Sequence, residues 1–222
     1  MAALHRNGSN LVSEVLRGHG EFTEWEHYPS GDVNDCQSHA QYYFHAHPPE
    51  DREDPDYGHF HTFLRSSGMP LGISPAPVPD YVAPAGDSDH VCHLIAISMN
   101  RNGLPERLFT TNRWVTGDTW YKAADVIAML DRFAIKTWSP SRPLNQWLTA
   151  MLVLFRPQIE QLLIARDRVI DVWQMMHPDQ NVFEDRRLEI TSTLDVSLQA
   201  QLEVLDQILD APSNIGERQI VS

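Results

Sequence analysis

Cysteine is scarce in this chain of 222 residues: Cys36 and Cys92 are the only two, and neither sits in a CxxC pair. That excludes a disulfide framework and a thiolate-rich zinc site, and it suits a reducing, cytoplasmic setting. Basic charge is also scarce, with 17 Lys and Arg against 30 Asp and Glu and a net charge of −13 when histidines are neutral. A surface so acidic repels phosphate backbones and anionic lipid, so neither nucleic acid nor a membrane surface is expected as a partner. No apolar run approaches the roughly 18 residues of a membrane span, and the N-terminal stretch lacks the basic leader and apolar segment of a signal peptide. The motifs GxxxxGK[ST], GxGxxG after a strand, GxSxG and HExxH are absent, which removes the commonest nucleotide, dinucleotide, serine-hydrolase and zincin fingerprints. Without CxxCH there is no covalently attached haem, although a non-covalent haem with a histidine ligand stays open.

What is abundant is histidine. The chain has 11, and seven of them fall between His39 and His93. The surrounding segments read as an α+β fold: a small antiparallel or mixed sheet that carries the histidine cluster, followed by a helical C-terminal third. Residues 9–17 make a short helix capped by Ser9 or Asn10 and closed by Gly18. The turn-rich segment 20–35 reads as a loop. SHAQYYFHAH, ending at Pro48-Pro49, and GHFHTFLR read as two strands joined by an acidic turn, 48–58. The proline-rich stretch 66–89 has no periodicity and reads as a surface segment and candidate lid over the sheet. HVCHLIAISM and RLFTTNRWV supply two more strands. From Trp120 the apolar spacing turns helical, first over 122–135, then in two helices meeting near Pro157. A last helix follows, with a stripe through Leu198, Leu202, Leu205, Ile208 and Leu209. That stripe is expected to face Ile159, Leu162, Leu163, Val169, Ile170 and Trp173 in a helical hairpin, or to pair across a homodimer. The expected division is 1–37 as an N-terminal helix and loop, 38–138 as the sheet region, and 139–222 as helices packed on it in one structural unit.

Successive side chains on a strand alternate faces, so His45 and His47 share one face, as do His59 and His61. If those strands pair, four imidazoles converge. Imidazole is the commonest neutral metal ligand, and two His-x-His elements on neighbouring strands can grip one ion, or two. His93 is the natural fifth ligand if its strand turns that face to the same pocket. His39 shares the parity of His45 but lies upstream, and His90 is the polar start of its strand. Glu50 and Asp89 are candidates to complete or orient the set. Exposed histidines on a polar sheet face, and metal-free acid–base use, remain as alternatives. Cys92 points to the opposite face and reads as a buried apolar residue.

Two further residues are candidates for chemistry. Arg113 can hold a substrate carboxylate through its guanidinium, or simply pair with an acidic neighbour. Tyr43 shares the histidine face and can donate a proton near a metal. Trp114, Trp120 and Tyr121 read as packing. HAHPPE, GHFHTFLR, HLIAISM and LFTTNRWVTG together resemble a family of uncharacterised bacterial proteins known only as a domain of unknown function. The likeness spans roughly residues 38 to 175 and implies one domain without a known activity. The paired His-x-His also resembles copper sites and cupin-type iron sites in its ligand chemistry. The expectation is a histidine-ligated metalloprotein acting on a small molecule, an iron or copper oxidoreductase before a zinc hydrolase. A non-catalytic metal or haem binder or sensor is the alternative.

Overall fold

The computed structural model describes residues 8–48, 56–86 and 90–210. The candidates Glu50 and Asp89 lie outside them. In chain order the elements are α1 (Leu11–Val15), β1 (Tyr28–Asn34), β2 (Ala40–His45), β3 (His59–Arg65), β4 (Val91–Met99), β5 (Pro105–Thr111), α2 (Arg113–Thr116), α3 (Ala123–Leu130), α4 (Arg142–Leu154), α5 (Arg156–Met176), β6 (Ile190–Asp195) and α6 (Leu198–Asp210). All six strands form one antiparallel sheet in the order β1-β2-β3-β4-β5-β6. The sheet therefore draws strands from all three expected segments of the chain.

Alternation along the strands divides the sheet into two unlike faces. Tyr42 and Phe44 of β2, Phe60 and Leu64 of β3, Ile95 and Ile97 of β4 and Leu108 of β5 belong to one apolar core. The helices that cover it contribute Val126 and Met129 from α3, Leu148 and Met151 from α4 and Ile159 and Leu163 from α5. Each of these side chains is almost wholly removed from water, worth roughly 1.5–3 kcal/mol apiece. Tyr42 donates to Asn145 Oδ1 at 2.6 Å, and Asn145 Nδ2 in turn donates to the carbonyls of Thr137 and Ser139, which fixes the start of α4 against β2. The α4 and α5 axes meet at 71°, with Pro157 in the first turn of α5, where its missing N–H costs nothing. No single helix among the described residues is long and apolar enough to cross a membrane.

Five expectations need correction. Residues 28–34, read as loop, form β1; Pro29, Gly31 and Asp32 are turn-forming residues, and the left-handed backbone of Gly31 and Asp32 falls where the pairing with β2 is irregular. β6 lies where no strand was expected, because its sequence ITSTLD is short and only Thr191 is buried. The strand read through 107–115 stops at Thr111, where Asn112 caps α2 with its side chain. Among the described residues the proline stretch packs beside the cluster and not over it: Ala76 and Val78 lie against Trp120, Val182 and Leu188, and Tyr81 bonds Thr119. Finally, α6 does not form a hairpin with α5. None of its side chains is buried, and Leu202, Ile208 and Leu209 are exposed. Gln201 ties its first turn to Gln158 and to the Leu154 carbonyl instead.

Candidate metal centre

The face opposite the core carries the histidines, in register across the sheet. His45 pairs with His59, His59 with Ser98, Ser98 with Arg107 and Arg107 with Asp195, so one row crosses five strands. The neighbouring row runs Tyr43, His61, Ala96, Phe109, Thr193. His93 joins through a bulge. By parity it belongs with Ile95 and Ile97, which face the core, but the pairing shifts between Thr62 and Phe63, so that Phe63 pairs with His93 while Thr62 pairs with Ile95. Leu94 is the extra residue, and it turns His93 to the histidine face. The same bulge puts Cys92 opposite Leu64 on the core side, the face opposite His93, as its alternation with that residue predicts.

All five expected histidines thus meet. The Nε2 atoms of His45 and His59 are 2.8 Å apart, and one donor atom from each of His45, His47 and His59 lies within 4.8 Å of the other two. His47, just past β2, stacks on Trp25 with ring centroids 4.3 Å apart, and the Trp25 N–H donates to the Ala46 carbonyl. His61 Nδ1 and His93 Nε2 form a second imidazole pair at 3.0 Å, and the His61 ring centre is 4.9 Å from that of His59. His45 Nδ1 and His61 Nε2 are buried with no hydrogen-bond partner among the described residues.

Asp56 organises this group, and the sequence reading passed over it as part of an acidic turn. Its Oδ2 lies 2.9 Å from His59 Nδ1 and accepts from Ser98 Oγ at 2.9 Å, while Oδ1 accepts the Gly58 N–H. Burial alone would raise its pKa, but the contact with His59 and the donors from Ser98 and Gly58 hold it below the usual range, so it remains a carboxylate. It fixes the proton of His59 on Nδ1 and leaves Nε2 as a lone pair directed at the other rings, the arrangement in which a carboxylate orients a metal-binding imidazole. The spacing Asp56-x-x-His59 was the available signal.

Burial keeps three of the histidines neutral. Burial pushes His45 down to about 2, with repulsion from His59, His47 and His27 adding to it against the pull of Asp56. Burial, then its histidine neighbours, push His61 well below its ordinary value. His93 falls to about 3 through burial and the nearby Arg166. Neutral imidazoles with uncommitted lone pairs are ligands for a cation. Tyr43 stands at the edge of the group, its ring 5.1 Å from that of His61 and stacked on His27 at 3.6 Å. Burial raises its hydroxyl pKa, with Asp32 and Asp118 adding to the shift, so it stays a neutral donor.

Arg113 is not part of the group. It forms an ion pair with Glu184 and lies over the Tyr81 ring at 5.0 Å, on the side of α2 where the proline stretch packs. Of the two roles expected for the guanidinium, the pairing with an acidic neighbour is the one the structure shows. His90 bonds Thr119 outside the cluster, and His39 occupies the left-handed turn before β2. Beside the cluster opens a cavity of about 500 Å³. His47, Asp56, His59 and His61 form one wall; Arg107, Phe109 and Thr111 of β5 form the floor; residues 186–190 with Thr193 form the far wall.

A family model covers residues 1–196, from the N-terminus through the last strand of the sheet. The chain belongs to the family described as Domain of unknown function (DUF6969). Every candidate ligand and every cavity residue falls inside the DUF6969 match, and α6 falls outside it. Neither the curated proteins nor the solved structures contain a match to the chain.

Proposed function

We propose that His45, His47 and His59 hold one transition-metal ion, and that this ion acts on a small molecule bound in the adjoining cavity. The observation that carries this reading is the convergence of three donor nitrogens within 4.8 Å, one of them aimed by a buried carboxylate. Three ligands leave positions open on a four- to six-coordinate ion. His47 and His59 also line the cavity, so those positions face it.

The ligands are all neutral nitrogens. The rings of Tyr43 and Phe109 lie against His45 and His59 and add apolar, polarisable groups beside the ion. That donor set and those surroundings support iron or copper, and with them an oxidoreductase using O2 on an organic substrate. His61 adds a buried lone pair on the cavity wall, suited to a hydrogen bond with whatever occupies the open positions. The free thiols of Cys36 and Cys92 suit a reducing cytosol.

Elemental analysis of untagged, full-length protein tests the reading. The expected result is about one iron or copper per chain, with most of it lost in His45→Ala and His59→Ala. Stoichiometric zinc in its place would move the chemistry to activation of water. Full metal retention by both variants, or no metal uptake by the wild type, would overturn the site.

A further inference from the structure

We infer that Trp25 is a positioning residue of the metal centre: its indole, stacked on the His47 ring, holds the third ligand of the ion in place. The inference rests on the metal centre proposed above, whereas the stack itself is a feature of the metal-free protein and is tested there separately.

His47 lies where the sheet no longer positions a side chain. The β2–β3 ladder ends at the pair His45–His59, and the β1–β2 ladder begins at the pair Tyr28–Phe44. His47 is two residues beyond the end of β2, so among the described residues no regular strand pairing fixes it. His59, by contrast, is held through its far nitrogen by Asp56, and His45 is buried against the rings of His59 and His61. A ligand that has to be ordered as the ion arrives gives up rotamer freedom at that moment, and the affinity falls accordingly.

The segment before β1 supplies the hold, through contacts that begin at a buried side chain. The hydroxyl of the buried Tyr28 accepts the Thr23 N–H at 2.7 Å and donates to the Thr23 carbonyl at 3.3 Å. Between these two residues the chain turns through Trp25, whose φ of +69° is left-handed. That conformation is unfavourable for a bulky residue and persists only where its surroundings hold it. Two contacts do so. The Trp25 N–H donates to the Ala46 carbonyl at 3.0 Å, and the indole lies on the His47 ring with centroids 4.3 Å and planes 20° apart. Two residues on, His27 stacks on Tyr43 at 3.6 Å and bonds Asp32 through Nδ1. The segment is thus fastened to the β2 chain on both sides of His45.

Trp25 is nevertheless 56% exposed. An indole with half its surface in water adds little to the core, so its strained placement serves the ring it covers. The stack also strengthens once His47 binds a cation. Coordination withdraws electron density from the imidazole, and an indole face is the best aromatic partner for an electron-poor group. Trp25 therefore favours His47 with its ion over His47 without it.

The full-length protein, freed of metal with chelator, is first compared with its variants by NMR. The expected result is that the His47 ring protons, assigned with His47→Gln, are shifted upfield by the indole. They return to ordinary positions in Trp25→Ala and stay shifted in Trp25→Phe. Copper(II) is then titrated against a calibrated chelator, since a nitrogen site binds it more tightly than other first-row divalent ions. Wild type is expected to take about one per chain; Trp25→Ala weakens binding about tenfold, the usual scale for a group behind a ligand. Trp25→Phe recovers most of that loss, and Trp138→Ala, which removes an exposed indole between α3 and α4, changes neither readout. Unshifted His47 protons in wild type, or equal losses of affinity in Trp25→Phe and Trp25→Ala, would overturn the inference. Copper bound as tightly by Trp25→Ala as by wild type removes the positioning role alone. No copper bound by wild type removes the metal centre, and the role of Trp25 with it.

Discussion

His45 and His59 face each other end to end across the β2–β3 pair, Nε2 to Nε2 at 2.8 Å. Two nitrogens bound to one tetrahedral ion at about 2.1 Å stand about 3.4 Å apart, so seating an ion needs the rings to part by roughly 0.6 Å. Asp56 holds one of the two rings by its far nitrogen, so the pair does not have to find its orientation when the ion arrives.

Asp56→Ala is therefore expected to weaken metal binding about 10- to 100-fold without abolishing it, the usual effect of removing a carboxylate behind a ligating imidazole. His45→Ala or His59→Ala should abolish it. Competition with a calibrated chelator measures both. Equal affinity in Asp56→Ala and wild type would remove the orienting role.

Acid should destabilise the metal-free protein well before carboxylates protonate. His45, His61 and His93 all titrate below 6.5 in the folded state because burial disfavours their charge, whereas in the unfolded chain each takes a proton near 6.5. Below that pH the unfolded state binds more protons, so stability is present above 6.5 and falls by up to about 1.4 kcal/mol per pH unit for each histidine. The loss continues down to the folded values, about 3 for His93 and about 2 for His45. Thermal midpoints in chelator at pH 7.5, 6.5 and 5.5 should decline across the lower interval, and less steeply in His93→Gln. A flat profile would contradict the burial of neutral imidazoles.

The site was legible in the sequence to the extent that it follows strand alternation. His45, His59 and His61 face together because residues two apart on a strand always do, and antiparallel pairing of β2 with β3 follows from a hairpin. His93 was not determined by that rule; its place depends on the bulge at Leu94, which no local composition signals. Asp56 and the wall formed by residues 186–190 were missed for a related reason. One looked like any acid in a solvated turn, and the other reaches the site only because β6 closes the edge of the sheet beside β5. The apolar stripe of α6 misled in the opposite direction: helical spacing shows which side chains share a face, but not whether anything covers it.

Gly58 should tolerate no side chain. Its φ is +122°, and an added Cβ would lie 2.4 Å from Phe44 Cζ and 2.8 Å from the His45 carbonyl oxygen. The same residue gives its N–H to Asp56 and immediately precedes β3. Gly58→Ala is expected to cost on the order of 2–3 kcal/mol from strain and displacement, and to lower metal affinity by disturbing both Asp56 and His45. Gly18→Ala provides the comparison, since Gly18 also has positive φ but nothing lies within 4 Å of an added Cβ. Urea unfolding and metal titration of the two variants should separate strain alone from strain with collision; equal losses would show that the crowding at Gly58 is relieved without cost.

The last expectation concerns a carboxylate that supports the sheet from outside the site. Asp35, in the turn between β1 and β2, accepts through Oδ1 from the N–H groups of Gln37 and Ser38 and the Ser38 hydroxyl. Through Oδ2 it accepts from the N–H groups of Lys136 and Thr137, between α3 and α4, so one side chain joins the start of β2 to the helical layer. Burial would raise its pKa, but the donors from Ser38, Lys136 and Gln37 outweigh that and hold it below the ordinary value. A depressed folded pKa means that the contribution is complete above about pH 4, where the unfolded carboxylate is also ionised, and is lost as pH falls through the folded value. Asp35→Asn keeps one acceptor and turns an NH2 toward the remaining N–H donors, leaving a buried pair unsatisfied at about 1–3 kcal/mol. The expected outcome is a lower urea midpoint for Asp35→Asn at pH 7, with metal binding unchanged and a gap from wild type that narrows toward pH 3. A gap that stays constant with pH would show that the lost stability comes from packing and not from the carboxylate's charge.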